Sequence, residues 1–591
     1  MSESNVPVGG DFLQSQIGAA RIFTPESLSA ESRLLAATME DFVRKDIVPA
    51  IDCIEAHEPG LMPSLLRKSG SIGLLAGGIP ERYEGLGLSK TALTLLTEKA
   101  APYLSFAIAM GVHSGVAALP LLLFGTEAQK QKYLPKLASG QIIGAFALSE
   151  ASSGSDAFAA RTRATLSPDG THYLLTGEKL WTTNGGFADL FTVFAKVDGE
   201  RFTAFLVDRD TPGLAVGREE QKMGLHGSST CRIVLQDAQV PVANVLGEVG
   251  RGHRPALYTL NVGRFHIGAT ALGASKECLR MAALFAKQRV QFGHPIADFV
   301  LMRHKLATMA TGIYLLESML YRVAGYWDDA AKNANVDADT GDSLMQASEE
   351  YAIECAIIKF FGTEVLGYAS DESLQIHGGM GFSEEFPAAR MYRDARVFRI
   401  FEGTNEINRL TVLDQILRRT ASGRLNLTSG SDTSNAASIE VPTSKLSTPL
   451  DEVGVLVQMI RAVFQDVLQA GIAAQGEQIG RNQSFAAAVA EIAASLLALE
   501  CALLRASSLV QNAVSPQKSH LAAAFTIVFA AEARARVEQA AYSAFAAIQT
   551  DKCVTIDSDA LREIRSLPVS NPTIFLEQIA ESALEREGYS F

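Results

Sequence analysis

The chain is sparing with the residues that build metal and disulfide sites. Its six cysteines, Cys53, Cys231, Cys278, Cys355, Cys501 and Cys553, stand far apart in 591 residues. No Cys-x-x-Cys pair and no His spacing that suits zinc occurs, so neither a metal site nor a disulfide framework is expected. Reduced, mostly buried thiols of an intracellular protein are expected instead. Basic clusters are missing too. Net charge is −13 and no Lys/Arg block runs beyond a few residues, which argues against a nucleic-acid partner. No unbroken apolar run reaches eighteen residues, so no membrane-spanning segment is expected. The first thirty residues lack an apolar stretch and carry Glu3, Asp11, Glu26 and Glu31. They resemble neither a secretory signal nor an Arg-rich transit peptide, and a cytoplasmic location is the expectation.

What is present is a large globular composition, 47% apolar and 20% charged, long enough for several cores. Hydrophobic periodicity divides it. Residues 1–24 read as a flexible N-terminus and 25–141 as a helical domain, with Leu34, Leu35, Met39, Phe42, Val43 and Ile47 at helix spacing. Between 142 and 252 short β-branched and aromatic runs alternate with turn chemistry at Ser167–Gly170 and Asp198-Gly199, which predicts a small antiparallel β-domain. Helical periodicity returns over 253–420, with breaks at Gly293–Pro295 and Gly378–Pro387. Residues 421–448 are Ser/Thr/Asn/Gly-rich and read as a linker, and 449–591 as an Ala-rich, all-α C-terminal domain. The fold class is therefore mainly α with a central antiparallel β-domain, a barrel or sandwich, between a helical domain and a helical bundle, plus a further helical domain.

One carboxylate stands out, Glu402 in Arg393–Leu410, RDARVFRIFEGTNEINRL. It sits beside Val397, Phe398, Ile400 and Phe401, just ahead of Gly403 and a helix that Thr404 or Asn405 can cap. Apolar surroundings favour the neutral acid and raise its pKa toward that of a working base. An ordinary first-turn Glu, favoured by the helix dipole, is the alternative. AFALSEASSGSD at Ala145–Asp156 is a strand entering a loop that reads either as a cradle for phosphate or ring carbonyl or as a solvated turn. KLWTTNGG at Lys179–Gly186 offers an indole and hydroxyls to a flat cofactor, or an Asn-Gly turn. RVQFG at Arg289–Gly293 ends a helix with a cation that suits either the helix dipole or a pyrophosphate. QIHGGMGF at Gln375–Phe382 is Gly-rich without the G-x-G-x-x-G spacing, so a Rossmann reading fails.

In their order and spacing these motifs resemble the acyl-CoA dehydrogenase family over roughly residues 30–420. The phrases LLFGTEAQKQKYLPKLASG and VPVANVLGEVGRG, with the long tail, are similar to its very-long-chain branch. The resemblance implies FAD held between β-domain and bundle across a homodimer interface, and a C-terminal domain that takes the place of a second dimer. It implies flavin contacts at Phe146, Leu148, Ser149, Ser155, Trp181, Thr183, Arg289, Phe292, Gln375, Gly379, Thr404 and Glu406. Substrate contacts are implied at Ser155, Asn261, Arg264, Phe401 and Gly403, with no metal. Glu402 would be the catalytic base that takes the α-proton of a fatty acyl-CoA, with electrons passing to an electron-transferring flavoprotein. The family's other base position corresponds to Gly263, which carries no acid. An oxidase using dioxygen and a non-catalytic assembly role remain alternatives of the same fold. Ala107, Gly111 and Gly115 place small residues on one helix face, which fits either a deep tunnel for a long acyl chain or close helix packing. The apolar stripe Leu456, Ile460, Val463, Phe464 and Val467 fits either core packing or a peripheral membrane contact.

Overall fold

The computed structural model describes residues 7–14, 22–333, 342–427, 448–512, 515–549, 558–567 and 570–591. Helices open the chain: Ala30–Phe42, Leu61–Ser71, Lys90–Ala100, Leu104–Gly111, Ala118–Phe124 and Glu127–Ala138. Their starts follow from the sequence chemistry. Ser29 and Ser89 cap by accepting the N–H groups of Ser32 and Ala92, and Thr126 forms a capping box with Gln129.

Eight strands follow: β1 (Gly144–Ala147), β2 (Arg163–Leu166), β3 (His172–Thr183), β4 (Leu190–Val197), β5 (Arg201–Asp208), β6 (Leu214–Glu219), β7 (Thr230–Pro241) and β8 (Val245–Leu246). Their order is β6-β7-β3-β2-β4-β5-β8, with β1 also paired to β4. The expected antiparallel barrel or sandwich is corrected to an open mixed sheet. β1 and β2 both run parallel to β4, β1 along Leu190–Val193 and β2 along Lys196–Val197. The chain leaves β2 by a hairpin into β3 and then skips over β2 to reach β4. Two reversals restore the original direction, a consequence of strand order that alternation alone does not reveal. β1 and β2 thus lie end to end on one edge of β4, and the loop between them carries most of the Ser/Gly-rich motif.

Long helices complete the body: His253–Gln288, Val300–Asn333, Ala352–His377 and Asn405–Ala421, then Pro449–Gln475, Gln483–Gln511, Pro516–Ile548 and Pro572–Glu585. A single hydrophobic cluster runs through both sets. Leu456, Ile460, Val463, Phe464 and Val467 are all buried in it, so this stripe is core. Two buried ionic networks cross the same boundary. Arg505 pairs with Glu317 at 2.7 Å and Glu26 at 2.6 Å, while Glu317 also takes Lys276 at 2.5 Å and the Tyr589 hydroxyl at 2.7 Å. Glu500 pairs with Arg461 and, at 2.7 Å, with Arg322.

Three expectations change. By length and composition, Leu104–Phe124, Pro449–Arg481 and Gln483–Gln511 are apolar enough to cross a bilayer, although none is an unbroken apolar run; between 56% and 83% of their most apolar windows is buried inside the protein. The N-terminus is not uniformly loose. Residues 7–14 are fixed: Gly9 and Gly10 donate to Glu350 and Glu354, Phe12 and Leu13 are buried, and their carbonyls accept from Arg461 and Gln465. Of the linker, 428–447 lies outside the described residues, but Leu425 and Leu427 at its start are buried. The five described cysteines are free, four of them buried, and Cys553 lies outside the described residues.

Candidate active site

Glu402 sits in a turn clamped from both sides. Thr404, and not Asn405, caps the following helix by accepting the Ile407 N–H. Asn405 instead accepts from the buried Lys359 ammonium at 2.8 Å and donates to Thr363 and Glu364. The Asn408 amide donates to the carbonyls of Gly403 and Thr404 at 2.8 and 2.9 Å. The turn needs Gly403, at φ +79, and holds Glu402 itself in the left-handed region at φ 53. Such strain costs on the order of 1–3 kcal/mol in a non-glycine residue and persists only where surroundings over-determine it.

The Glu402 side chain retains some accessible area, but its Oε2 is enclosed and has no partner among the described residues. Burial pushes its pKa up to about 7, against the pull of Arg264 and Lys359. Lys359 is pushed down to about 7 by burial, opposed most by Glu402. A base and a buried cation are thus both poised near neutrality. Gly263 makes the placement possible, because a Cβ there would lie 2.7 Å from Glu402 Oε2 and 3.5 Å from Val116. Arg264, next along the helix, is buried and donates to Asn261 Oδ1 at 2.9 Å. Its terminal nitrogen lies 3.9 Å from where a Gly403 Cβ would be. Arg264 thus lies beside the turn of Phe401, Glu402 and Gly403, with Asn261 holding its guanidinium.

A second group forms on the sheet. The buried pair Lys179–Glu150, 2.6 Å apart, ties the Trp181 strand to the Ser/Gly-rich loop. Lys179 also donates to the Leu148 carbonyl, and the Leu180 N–H to that of Ser149. Glu150 further accepts from the Arg161 N–H and from the Thr162 N–H and hydroxyl. A bulge between Lys179 and Thr182 turns Trp181 outward, at φ 54 and 61% exposed. Thr183 follows at the strand end, and Asn184 binds the carbonyls of Ala109 and Gly144, fastening sheet to helices. Phe146 packs edge-on against Phe194, and Ser155 is exposed.

The third group stands apart. Arg289 caps the helix His253–Gln288, and Phe292 follows at φ 53 and 92% exposed. Gln375 and Gly379 are exposed at the end of Ala352–His377. Phe285 stacked on His377, 4.3 Å between ring centroids, joins these two ends. No hydrogen bond or ring contact connects this group to Trp181 or Thr183 among the described residues. Glu406 is exposed on the first turn after Thr404.

Sequence models of the acyl-CoA dehydrogenase N-terminal, middle and C-terminal domains match residues 29–141, 145–238 and 250–417. The chain belongs to the acyl-CoA dehydrogenase family. It is 40% identical to a "Probable acyl-CoA dehydrogenase" of Bacillus subtilis over 99% of both chains. It is 43% identical to the bovine mitochondrial very long-chain specific acyl-CoA dehydrogenase, across 61% of this chain and 53% of that one. The crystal structure of an acyl-CoA dehydrogenase complexed with FAD from Bacillus anthracis superposes with TM-score 0.94, at 39% identity over 99% and 100% of the two chains.

FAD is the cofactor of this acyl-CoA dehydrogenase, and the residues present suit it. The Trp181 indole offers an exposed flat face, Thr182 Oγ1 is enclosed without a partner among the described residues, and around Gly378 and Gly379 a Cβ would meet nothing within 4 Å. Beside the base lies a cavity of about 120 Å³ whose lining includes Gly115, Val262, Ala118, Leu119, Leu93, Phe265, His266 and Lys90. Gly115 and Val262 adjoin Val116 and Gly263, the residues beside the Glu402 carboxylate.

The small-residue face divides three ways. Ala107 packs in the helical core, and Gly111 is taken by the His266 ring, since a Cβ there would lie 2.5 Å from its Nε2. Gly115 alone opens on the cavity. Close packing therefore accounts for two of the three positions. The sequence reading missed Lys359, Glu150, Lys179, Lys90 and His266, and offered Asn405 only as a cap. Asn405, Glu150 and Lys179 stood inside quoted motifs, whereas Lys359, Lys90 and His266 carried no local signal.

Proposed function

We propose that this enzyme catalyses FAD-dependent α,β-dehydrogenation of long-chain acyl-CoA thioesters and passes the electrons to an electron-transferring flavoprotein, working as a homodimer. The observation that carries the chemistry is the Glu402 carboxylate, poised near neutrality with one oxygen enclosed and unpartnered. Glu402 takes the α-proton of the thioester at Oε2, and its backbone N–H polarises the thioester carbonyl, stabilising the enolate that develops. Arg264 and Lys359 limit the rise in the Glu402 pKa that burial causes, and Phe401 and Val116 flank it with apolar surface. Bound FAD supplies a two-electron sink. The long-chain preference is supported by the named very-long-chain relatives and by the opening at Gly115. Phe292 and Trp181, exposed as they are, support a second subunit covering the cofactor.

The test is anaerobic bleaching of the bound flavin by a ladder of acyl-CoAs, from butanoyl to hexadecanoyl. Bleaching that peaks with the long esters is expected, and a maximum at butanoyl would overturn the chain-length reading. Re-oxidation should be fast with an electron-transferring flavoprotein and slow with dioxygen. Stoichiometric hydrogen peroxide would instead make the protein an oxidase. The pH profile follows from Glu402. Only the carboxylate accepts a proton, so kcat/KM should rise about tenfold per pH unit on the acid side and level off above about 7. A profile flat from pH 5 to 8 would remove Glu402 as the titrating base.

A further inference from the structure

The cavity beside Glu402 is apolar over most of its wall, yet it contains a cation that a hydrocarbon chain does not need. Among the described residues its lining holds one charged side chain, Lys90, and no carboxylate. Among the described residues the Lys90 ammonium has no hydrogen-bond acceptor. It lies over the rings of Phe265 and Trp327, 4.5 and 4.6 Å from their centroids. The nearby acid, Asp328, is engaged elsewhere: its oxygens accept from the backbone N–H groups of Lys90 and Thr91 and from the Thr91 hydroxyl, at 2.5, 3.2 and 2.7 Å. The hydroxyls in the wall are also committed. Those of Thr94, Thr97 and Ser114 donate back to the carbonyls of Lys90, Leu93 and Met110 on their own helices. His266, whose Nδ1 meets Thr97 Oγ1 at 3.3 Å, is kept neutral by burial and by the Lys90 charge.

Position matters as much as charge. His266 lies three residues beyond Gly263, so about 4.5 Å further along the helix axis than the residue against the base. Phe265, under the ammonium, belongs to the same turn. The cation, over Phe265, therefore lies within a helical turn of the residue against the base, on a cavity that a bound acyl chain could enter. A buried ammonium over two aromatic faces, its nearby acid Asp328 held by backbone N–H groups, costs free energy that an anionic oxygen would offset.

We propose that the cavity accepts acyl chains ending in a carboxylate, with Lys90 as the specificity-determining residue. This deepens the dehydrogenase reading and rests on it. The enzyme would then favour ω-carboxyacyl-CoA over the plain acyl-CoA of equal chain length. The carboxylate accepts from the Lys90 ammonium, and the methylenes run along Val262, Leu93 and Leu119.

The experiment compares plain, ω-hydroxy and ω-carboxy acyl-CoA of matched length, from hexanoyl to hexadecanoyl, on the FAD-loaded enzyme. At the best length kcat/KM should favour the ω-carboxylate by about tenfold or more, the gain of one charge-assisted hydrogen bond. Lys90→Met keeps the stem and removes the charge, and should abolish that preference. Calorimetric binding of the matching 2-enoyl-CoA products to the wild-type enzyme reads the same preference without turnover, and needs no variant. Plain or ω-hydroxy chains equalling the ω-carboxylate at every length would overturn the proposal, as would an unchanged ratio in Lys90→Met. If no CoA ester of any kind bleaches the flavin, the dehydrogenase reading falls as well. Bleaching by plain chains alone removes only the carboxylate.

Discussion

Glu402→Gln should leave FAD bound and yellow while flavin bleaching by acyl-CoA falls by roughly 10²–10⁴-fold, the usual contribution of a positioned general base. The amide has nearly the shape of the carboxylate, and the turn holding it is fixed by other groups: Thr404, Asn405, Asn408 and Lys359. Losing the charge should therefore change chemistry more than structure. Rapid-scan absorbance after anaerobic mixing measures it, with FAD content as the structural control. A variant that bleaches at a near wild-type rate would transfer the role of base to another group. Gly263 cannot provide one, and a larger side chain there would collide with Glu402 itself.

Arg505→Met should be the most destabilising single change at the boundary between the C-terminal helices and the bundle, costing about 3–5 kcal/mol. Arg505 is only 1% exposed and satisfies Glu317 and Glu26 together. Glu317 is held down to about 2 because Lys276 and Arg505 outweigh a burial that opposes its ionisation. Without the guanidinium, Glu26 loses its partner and Glu317 keeps only Lys276 and the Tyr589 hydroxyl. The denaturant midpoint should fall, and limited proteolysis should cut first within 449–591. An unchanged midpoint would mean that the apolar contacts alone hold the two parts together. Replacing the whole network with apolar residues is a different experiment, because matched hydrophobic substitutes often cost nothing.

What could be read in the sequence was what is local. Glu402, Gly403 and the Thr404 cap lie within three residues, and the breaks at Gly293–Pro295 and Gly378–Pro387 are punctuation any helix obeys. What escaped was set by packing across the chain. Lys359 is a lone Lys in a long apolar helix and gains meaning only when Asn405, 46 residues later, reaches it. The parallel pairing of β1 and β2 with β4 depends on strand order, which a period-two pattern does not encode. Trp181 read either as a face for a flat cofactor or as a strand residue before an Asn-Gly turn, and its outward aim came from the bulge beside Lys179. At Gly111 the sequence showed a small residue, but its occupant came from His266 on another helix.

The fixed segment 7–14 bears on how the molecule is made. Phe12 closes a hydrogen bond with Arg461 across 449 positions, and Leu13 reaches Gln465 in the same way. A ribosome adding about 5–20 residues per second would separate the two partners by roughly 20–90 s. The buried Phe12 and Leu13 side chains would then wait, unburied, for helices that emerge hundreds of residues later. Their docking is a late, high-contact-order step, and it seals a molecule whose other cores close over far shorter spans.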